Sequence, residues 1–238
     1  MKKLLVALLT FVSLHSFAQD ITMNDANAEK RNLTASFNAI TVSDGIELLL
    51  TQGNEESVAV SASDPKYMER FKTEVVSGTL KIYYDSKSMI WNNNEKRKLR
   101  AYVSFKTLES LKASSGSDVK AKSIFTLDKL LLSFTSGSQF TGGLNVGQVE
   151  VSQNSGSEII VTGKAGNLKV DLSSGAIFKG FDLSVDYCDA KATSGGEVRI
   201  SVNKELSAKA NSGGGIKYRG EGVLKDINVN SGGSVKKS

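Results

Sequence analysis

The sequence predicts an all-β parallel β-helix, a solenoid of coils about 19 residues long. Three observations predict it. First, a Ser-Gly-small tripeptide recurs seven times between Leu108 and Val235: Ser115-Gly116-Ser117, Ser136-Gly137-Ser138, Ser155-Gly156-Ser157, Ser174-Gly175-Ala176, Ser194-Gly195-Gly196, Ser212-Gly213-Gly214 and Ser231-Gly232-Gly233. The glycines stand 21, 19, 19, 20, 18 and 19 residues apart, and a fixed period of that size marks a repeat architecture. Second, with the units aligned on the glycine, the third position after it is always apolar (Val119, Phe140, Ile159, Phe178, Val198, Ile216, Val235). So is the fifth before it (Leu111, Leu132, Val151, Val170, Ala190, Ala208, Ile227), and only Gln153 breaks the rule at the third before it. These offsets are odd on both sides of the glycine. Strand side chains alternate between faces, so each unit is two strands joined by a corner, pointing one series of residues inward, with two or three short strands to a turn of the helix. Third, the unit is too short for a propeller blade of about 40 residues, and it lacks the helix of a leucine-rich repeat.

The corner follows from the tripeptide. Glycine supplies the positive φ that a sharp bend needs. The serine before it and the small residue after it both lie at odd offsets, so both are expected to face inward, with the serine hydroxyls pairing along a column. Seven coils at the strand spacing of about 4.8 Å would be roughly 34 Å long. The general preference of crossovers between parallel strands makes a right-handed coil the expectation.

Residues 1–18 read as a secretory signal peptide: Lys2 and Lys3, an apolar run from Leu4 to Phe17, and small residues at Ser16 and Ala18. The run is too short for a membrane anchor, and no later segment reads as a transmembrane span. Cleavage after Ala18 takes the formal charge from +5 to +3 by removing Lys2 and Lys3, and it removes the only histidine, His15. One cysteine remains, so no intramolecular disulfide is expected despite export.

Residues 19–36 are polar and aperiodic, the pattern of a flexible lead-in. Residues 37–107 read as decorated N-terminal coils and a cap. Ile40 to Val42, Asp44-Gly45 and Ile46 to Leu50 resemble a strand, a glycine corner and a strand. Ser57–Ser61 is a strand, and Asp64 to Phe71 is a short helix with Pro65 in its first turn. Thr73 to Tyr84, around Ser77-Gly78, is a hairpin-like or coil-like pair, and Gly78 precedes Gly116 by 38 residues, two periods. Residues 85–98 form a polar loop carrying Trp91 and the basic cluster Lys96, Arg97 and Lys98, a candidate binding loop. Leu99 to Phe105 leads into the regular coils of residues 108–238, continuous with 37–107. An open sheet edge invites pairing, so the last coil is expected to pack on something else, for instance a second copy.

Candidate chemistry is sparse. Without histidine, Ser–His and Cys–His mechanisms are not available. Cys188 shares its offset with Leu130, Val149, Leu168 and Leu206, so it reads as a buried, inert thiol. Asp182, Asp186 and Asp189 read as solvated, and neither metal-ligand spacing nor the Gly-Gly-x-Gly-x-Asp calcium repeat is present. No cofactor is implied. The best surface feature lies four residues after the turn glycine, where Lys120, Lys179, Arg199, Lys217 and Lys236 fill five of seven outward positions. Acids two residues after the glycine (Asp118, Glu158, Glu197) are placed to pair with them. This ladder is either an edge-blocking lysine column or a reader of an anionic glycan such as polysaccharide or lipopolysaccharide. The modest charge argues against nucleic acid.

The same residues carry a family resemblance. The block Phe37, Ile40-Thr41-Val42-Ser43-Asp44-Gly45-Ile46-Glu47-Leu48, then Ser77-Gly78-Thr79-Leu80, Leu108-Glu109-Ser110-Leu111 and the regular Ser-Gly turns resembles the head GIN domain family, the head domain of auto-transporter adhesins. The resemblance implies an exported bacterial protein with a β-helical fold and, by its name, adhesion. The resulting expectation is an exported, non-enzymatic protein of the periplasm, cell surface or medium, with an adhesin-like binding or scaffold role. The alternatives are a carbohydrate-active enzyme on the same fold, which needs a carboxylate cluster in a cleft on a coil face, and a structural envelope spacer without ligand.

Overall fold

A computed structural model describes residues 25, 27–86 and 97–238. Its strands are β1 (Glu29–Arg31), β2 (Ala39–Val42), β3 (Glu47–Gln52), β4 (Ser57–Ser61), β5 (Phe71–Val76), β6 (Thr79–Tyr84), β7 (Arg100–Phe105), β8 (Ser110–Ala113), β9 (Asp118–Ala121), β10 (Phe125–Phe134), β11 (Gln139–Gln153), β12 (Glu158–Leu172), β13 (Ile177–Ala192), β14 (Glu197–Ala210), β15 (Gly215–Arg219), β16 (Val223–Val229) and β17 (Ser234–Lys237). They form one 17-stranded sheet wound into stacked parallel coils. Among the described residues, no helix is long and apolar enough to cross a membrane.

The register carries the repeat. Phe140 pairs with Ile159, Ile159 with Phe178, Phe178 with Val198, Val198 with Ile216 and Ile216 with Val235. On the other side of the turn, Leu132, Val151, Val170, Ala190, Ala208 and Ile227 pair in the same order. Like therefore stacks on like, and the inward residues fuse into one core from Phe37 to Ile216. Within a coil the alternation slips once more. Gly147 and Gln148 are both exposed between buried Val146 and Val149, so β11 bends there and the coil has three segments. Gly163 enables the neighbouring bend, with φ +105 and a notional Cβ only 2.1 Å from the Leu144 carbonyl oxygen. Gln153, the one polar residue in its column, is buried and donates from Nε2 to the Ile177 carbonyl at 3.1 Å.

The corner differs from expectation in one respect. The residue after the glycine is buried, as in Ser117, Ser138, Ser157 and Ala176, but the serine before it is exposed in all seven units. The reason is the turn type. Ser115 has φ 53 and Gly116 φ 73, and the Ser117 amide donates to the Ser114 carbonyl at 3.2 Å. Positive φ at both central residues defines a type I′ turn, which lifts its tip out of the pleat and ends the alternation. The buried hydroxyls do not pair with one another. Ser138 Oγ donates to the Ala113 carbonyl at 3.0 Å and Ser157 Oγ to the Phe134 carbonyl at 2.9 Å, each in the preceding coil. The turns themselves are stitched by main chain, Gly116 N donating to Ser136 O at 2.9 Å and Gly137 N to Ser155 O at 3.0 Å.

The N-terminal coils are not stacked in chain order. β2 lies between β6 and β8, and β3 between β7 and β9, all parallel. Asp44-Gly45 is thus an eighth corner, its Gly45 amide donating to Ser115 O at 2.9 Å. Ser77-Gly78, two periods before Gly116, is instead the tip of the antiparallel β5–β6 hairpin, with Val76 opposite Thr79. The outermost coil runs from β6 to β7. Antiparallel strands close both of its sides, β5 on β6 and β4 on β7, with β1 beyond β4. Part of the segment expected as a flexible lead-in is therefore a paired edge strand. The expected short helix is a single 3-10 turn at Pro65–Tyr67, capped by Asp64, whose side chain accepts from Lys66 N.

Candidate functional site

Parallel pairing stacks the outward residues of the first segment as strictly as the inward ones. Lys120, Thr141, Ile160, Lys179, Arg199, Lys217 and Lys236 form one column, extended at the top by Leu49 and Tyr102. Beside it run Arg100, Glu47, Asp118, Gln139, Glu158, Ile177, Glu197, Gly215 and Ser234. All five ladder residues therefore lie on one face.

Acids engage most of the cations. Lys120 Nζ stands 2.9 Å from Glu47 and 2.8 Å from Asp118, and Arg100 Nε lies 2.7 Å from Glu47. Lys179 pairs with Glu158. Arg199 (2.9 Å) and Lys217 (3.2 Å) share Glu197. Among the described residues, Lys236 alone of the five makes no ion pair. Burial would raise the Glu47 carboxyl, but hydrogen bonds from Lys120 and Arg100 outweigh it and hold its pKa below the ordinary value. The Arg199 hydrogen bond does the same for Glu197, against partial burial and with help from Lys217. At the top of the face, Asp25 accepts from Ser61 Oγ at 2.6 Å and from Tyr102 Oη at 2.8 Å, which lowers its pKa. This network ties residue 25 to β4 and β7.

The candidate binding loop is brought only partly into view. Trp91 and Lys96 lie outside the described residues. Arg97 lays its guanidinium 4.4 Å from the centre of the Tyr84 ring, and its carbonyl accepts from Ser63 at 2.9 Å. Lys98 is exposed, in the left-handed region at φ 43. The loop leaves the outermost coil between β6 and β7, where the other coils carry a glycine turn.

Cys188 is a free, buried thiol whose pKa burial pushes up, with the Asp189 charge adding to the effect. Its neighbours form a feature not singled out from the sequence, a groove of about 260 Å³ on the third segment. Gln148, Asn167, Tyr187 and Glu205 stack along one side, and Lys169, Asp189 and Ser207 along the other. Tyr187 is 46% exposed. The sequence signal was an aromatic at the outward position eight residues before the turn glycine, in a column with Gln148, Asn167 and Glu205. That offset is even, like the other outward positions, so counting back from Gly195 reaches it.

The sequence profile of the family described as "Putative auto-transporter adhesin, head GIN domain" matches residues 36–222. The chain belongs to this family. Similar folds accompany it. A crystal structure of a "putative adhesin" from Bacteroides fragilis aligns with TM-score 0.81 at 16% identity, over 89% of this chain and 96% of that one. Another "putative adhesin", from Parabacteroides merdae, aligns with TM-score 0.69 at 16% identity, covering 90% and 97%. A "putative lipid binding protein" from Parabacteroides distasonis aligns with TM-score 0.61 at 19% identity, covering 90% and 98%. Among curated proteins, none matches the chain in sequence. This head GIN domain protein thus has the stacked β-solenoid fold that its repeat predicts.

Proposed function

We propose that this head GIN domain protein is exported and acts without catalysis as an adhesin-like binder, holding an anionic ligand against the ladder face. One observation carries the reading. On that face six cations (Arg100, Lys120, Lys179, Arg199, Lys217, Lys236) stand in register with four acids (Glu47, Asp118, Glu158, Glu197). The acids absorb the upper cations, so the surplus lies at the C-terminal end, where Lys217 shares its carboxylate and Lys236 has none. Of the five ladder residues, Lys236 is therefore unpaired and Lys217 holds only part of a shared carboxylate, which makes these two the candidates to take an anion, while Lys120 and Lys179 serve to knit coils together. The ligand is an anionic glycan of the envelope or of a surface the cell meets. The lipid-binding description of one similar structure makes an acidic lipid headgroup the natural competitor.

The test is binding of the purified protein to acidic polysaccharides and to vesicles containing anionic lipid, at low and high salt. Binding to the polysaccharide should weaken with salt and fall several-fold in a Lys217→Gln/Lys236→Gln variant, with Lys179→Gln nearly without effect. Binding to vesicles alone would move the ligand to lipid. Salt-insensitive binding, or none, would sink the anionic reading, and turnover of any glycan would sink the non-catalytic one.

A further inference from the structure

The groove around Tyr187 lies on a different segment of the coil from the ladder, and its chemistry is different. On the ladder face the charged groups answer one another. In the groove they do not. Among the described residues, Asn167, Lys169, Asp189, Ser207 and the Tyr187 hydroxyl form no hydrogen bond or ion pair through their side chains, although all line one concavity. Glu205 is taken by Lys225 at 3.1 Å, and Gln148 reaches Glu150 only at 3.5 Å. Beneath them lie Val149, Leu168 and Cys188, all buried. The Tyr187 ring is steadied from one side by Lys204, 5.4 Å from its centre and itself held by Asp186 at 2.7 Å.

The geometry points to a subsite for one uncharged pyranose ring of a glycan. The ligand class follows from the donor set. A half-exposed aromatic ring beside polar groups offers an apolar face to the C–H side of a sugar. An amide, an ammonium and a carboxylate that use none of their capacity internally supply donors (Asn167, Lys169) and an acceptor (Asp189) for neighbouring hydroxyls. The groove's volume, about 260 Å³, lies below the roughly 300–1,000 Å³ of sites for drug-sized ligands. It therefore suits a single ring of a chain that continues along the solenoid. Lys169 and Asp189 offset each other, so the site has no net preference for a charged sugar. Affinity for a single ring would be weak, near the millimolar range, with tighter binding only where a longer chain makes further contacts. The assignment stands apart from the ladder and survives its failure.

The experiment is a titration of the isotope-labelled protein with the methyl glycosides of glucose, galactose, mannose and N-acetylglucosamine, followed by amide chemical shifts. At least one sugar should shift the amides of Asn167, Lys169, Tyr187 and Asp189 in a saturable way, and high salt should leave the midpoint unchanged because the ligand carries no charge. Tyr187→Ala should weaken binding about tenfold, the scale of a lost stacking partner. Tyr187→Phe, which keeps the ring, should retain it. The Lys217→Gln/Lys236→Gln variant should bind the sugar like the parent, which separates this site from the ladder. Tyr187 points outward, so the folded spectrum of each variant is its own control. Absence of saturable shifts with all four sugars, or shifts that persist undiminished in Tyr187→Ala, would overturn the assignment.

Discussion

Ile40 and Ile227 occupy the same inward column, five residues before a turn glycine, at opposite ends of the solenoid. Ile40 is fully buried, whereas Ile227 is 41% exposed. The difference is what lies beyond each. Past β2 come the coil of β6 and β7 and then antiparallel β5, β4 and β1. Past β16 the described residues place nothing, so Leu224, Ile227 and Val229 keep over two fifths of their surface in solvent. A solenoid coil buries its apolar face only by being stacked on both sides, and position in the stack outweighs residue type.

The comparison makes a matched pair of substitutions the strongest test. Ile40→Ala should cost about 2–5 kcal/mol, as large-to-small changes in packed cores do, while Ile227→Ala should cost under about 1 kcal/mol, measured by denaturant unfolding. An Ile227→Ala cost that rises with protein concentration would show that a second copy covers the end. Two glycines sharpen the point within the stack. Gly163→Ala should destabilise by about 3 kcal/mol or more, since its Cβ would press on the Leu144 carbonyl at a strained φ. Gly116→Ala, with φ +73 but nothing within 4 Å of the added carbon, should cost only the left-handed penalty of about 1–2 kcal/mol.

The N-terminal ion network predicts a pH dependence at that end. Asp25 and Glu47 have folded pKa values below their ordinary 3.8 and 4.5. A carboxyl of lowered pKa contributes stability above its unfolded value and loses it as pH falls through the folded one. Stability should therefore decline below about pH 4.5, and Glu47→Gln should flatten part of that decline while costing about 1 kcal/mol or less at neutral pH, the scale of partly exposed pairs. The smallest effect belongs to Lys236→Gln. With no acid partner, it should leave the unfolding midpoint unchanged at any salt concentration.

Much of this protein was legible in its sequence. The period, the apolar columns, the buried small residue after every turn glycine but the last, the buried Cys188 and the acid-paired ladder all follow from counting offsets, because parallel stacking copies each offset into a column. The tertiary structure decided what counting could not reach. A type I′ turn breaks alternation, so the serines that looked inward lie outside. A hairpin and a coil corner can share the same Ser-Gly letters, and only strand pairing assigned Gly78 to the hairpin, whereas the corner read at Asp44-Gly45 does join the stack. The Tyr187 groove needed the structure for a different reason: the even offset of Tyr187 marks it as outward, but only the strand register sets it beside Lys169 and Asp189 over buried Leu168 and Cys188.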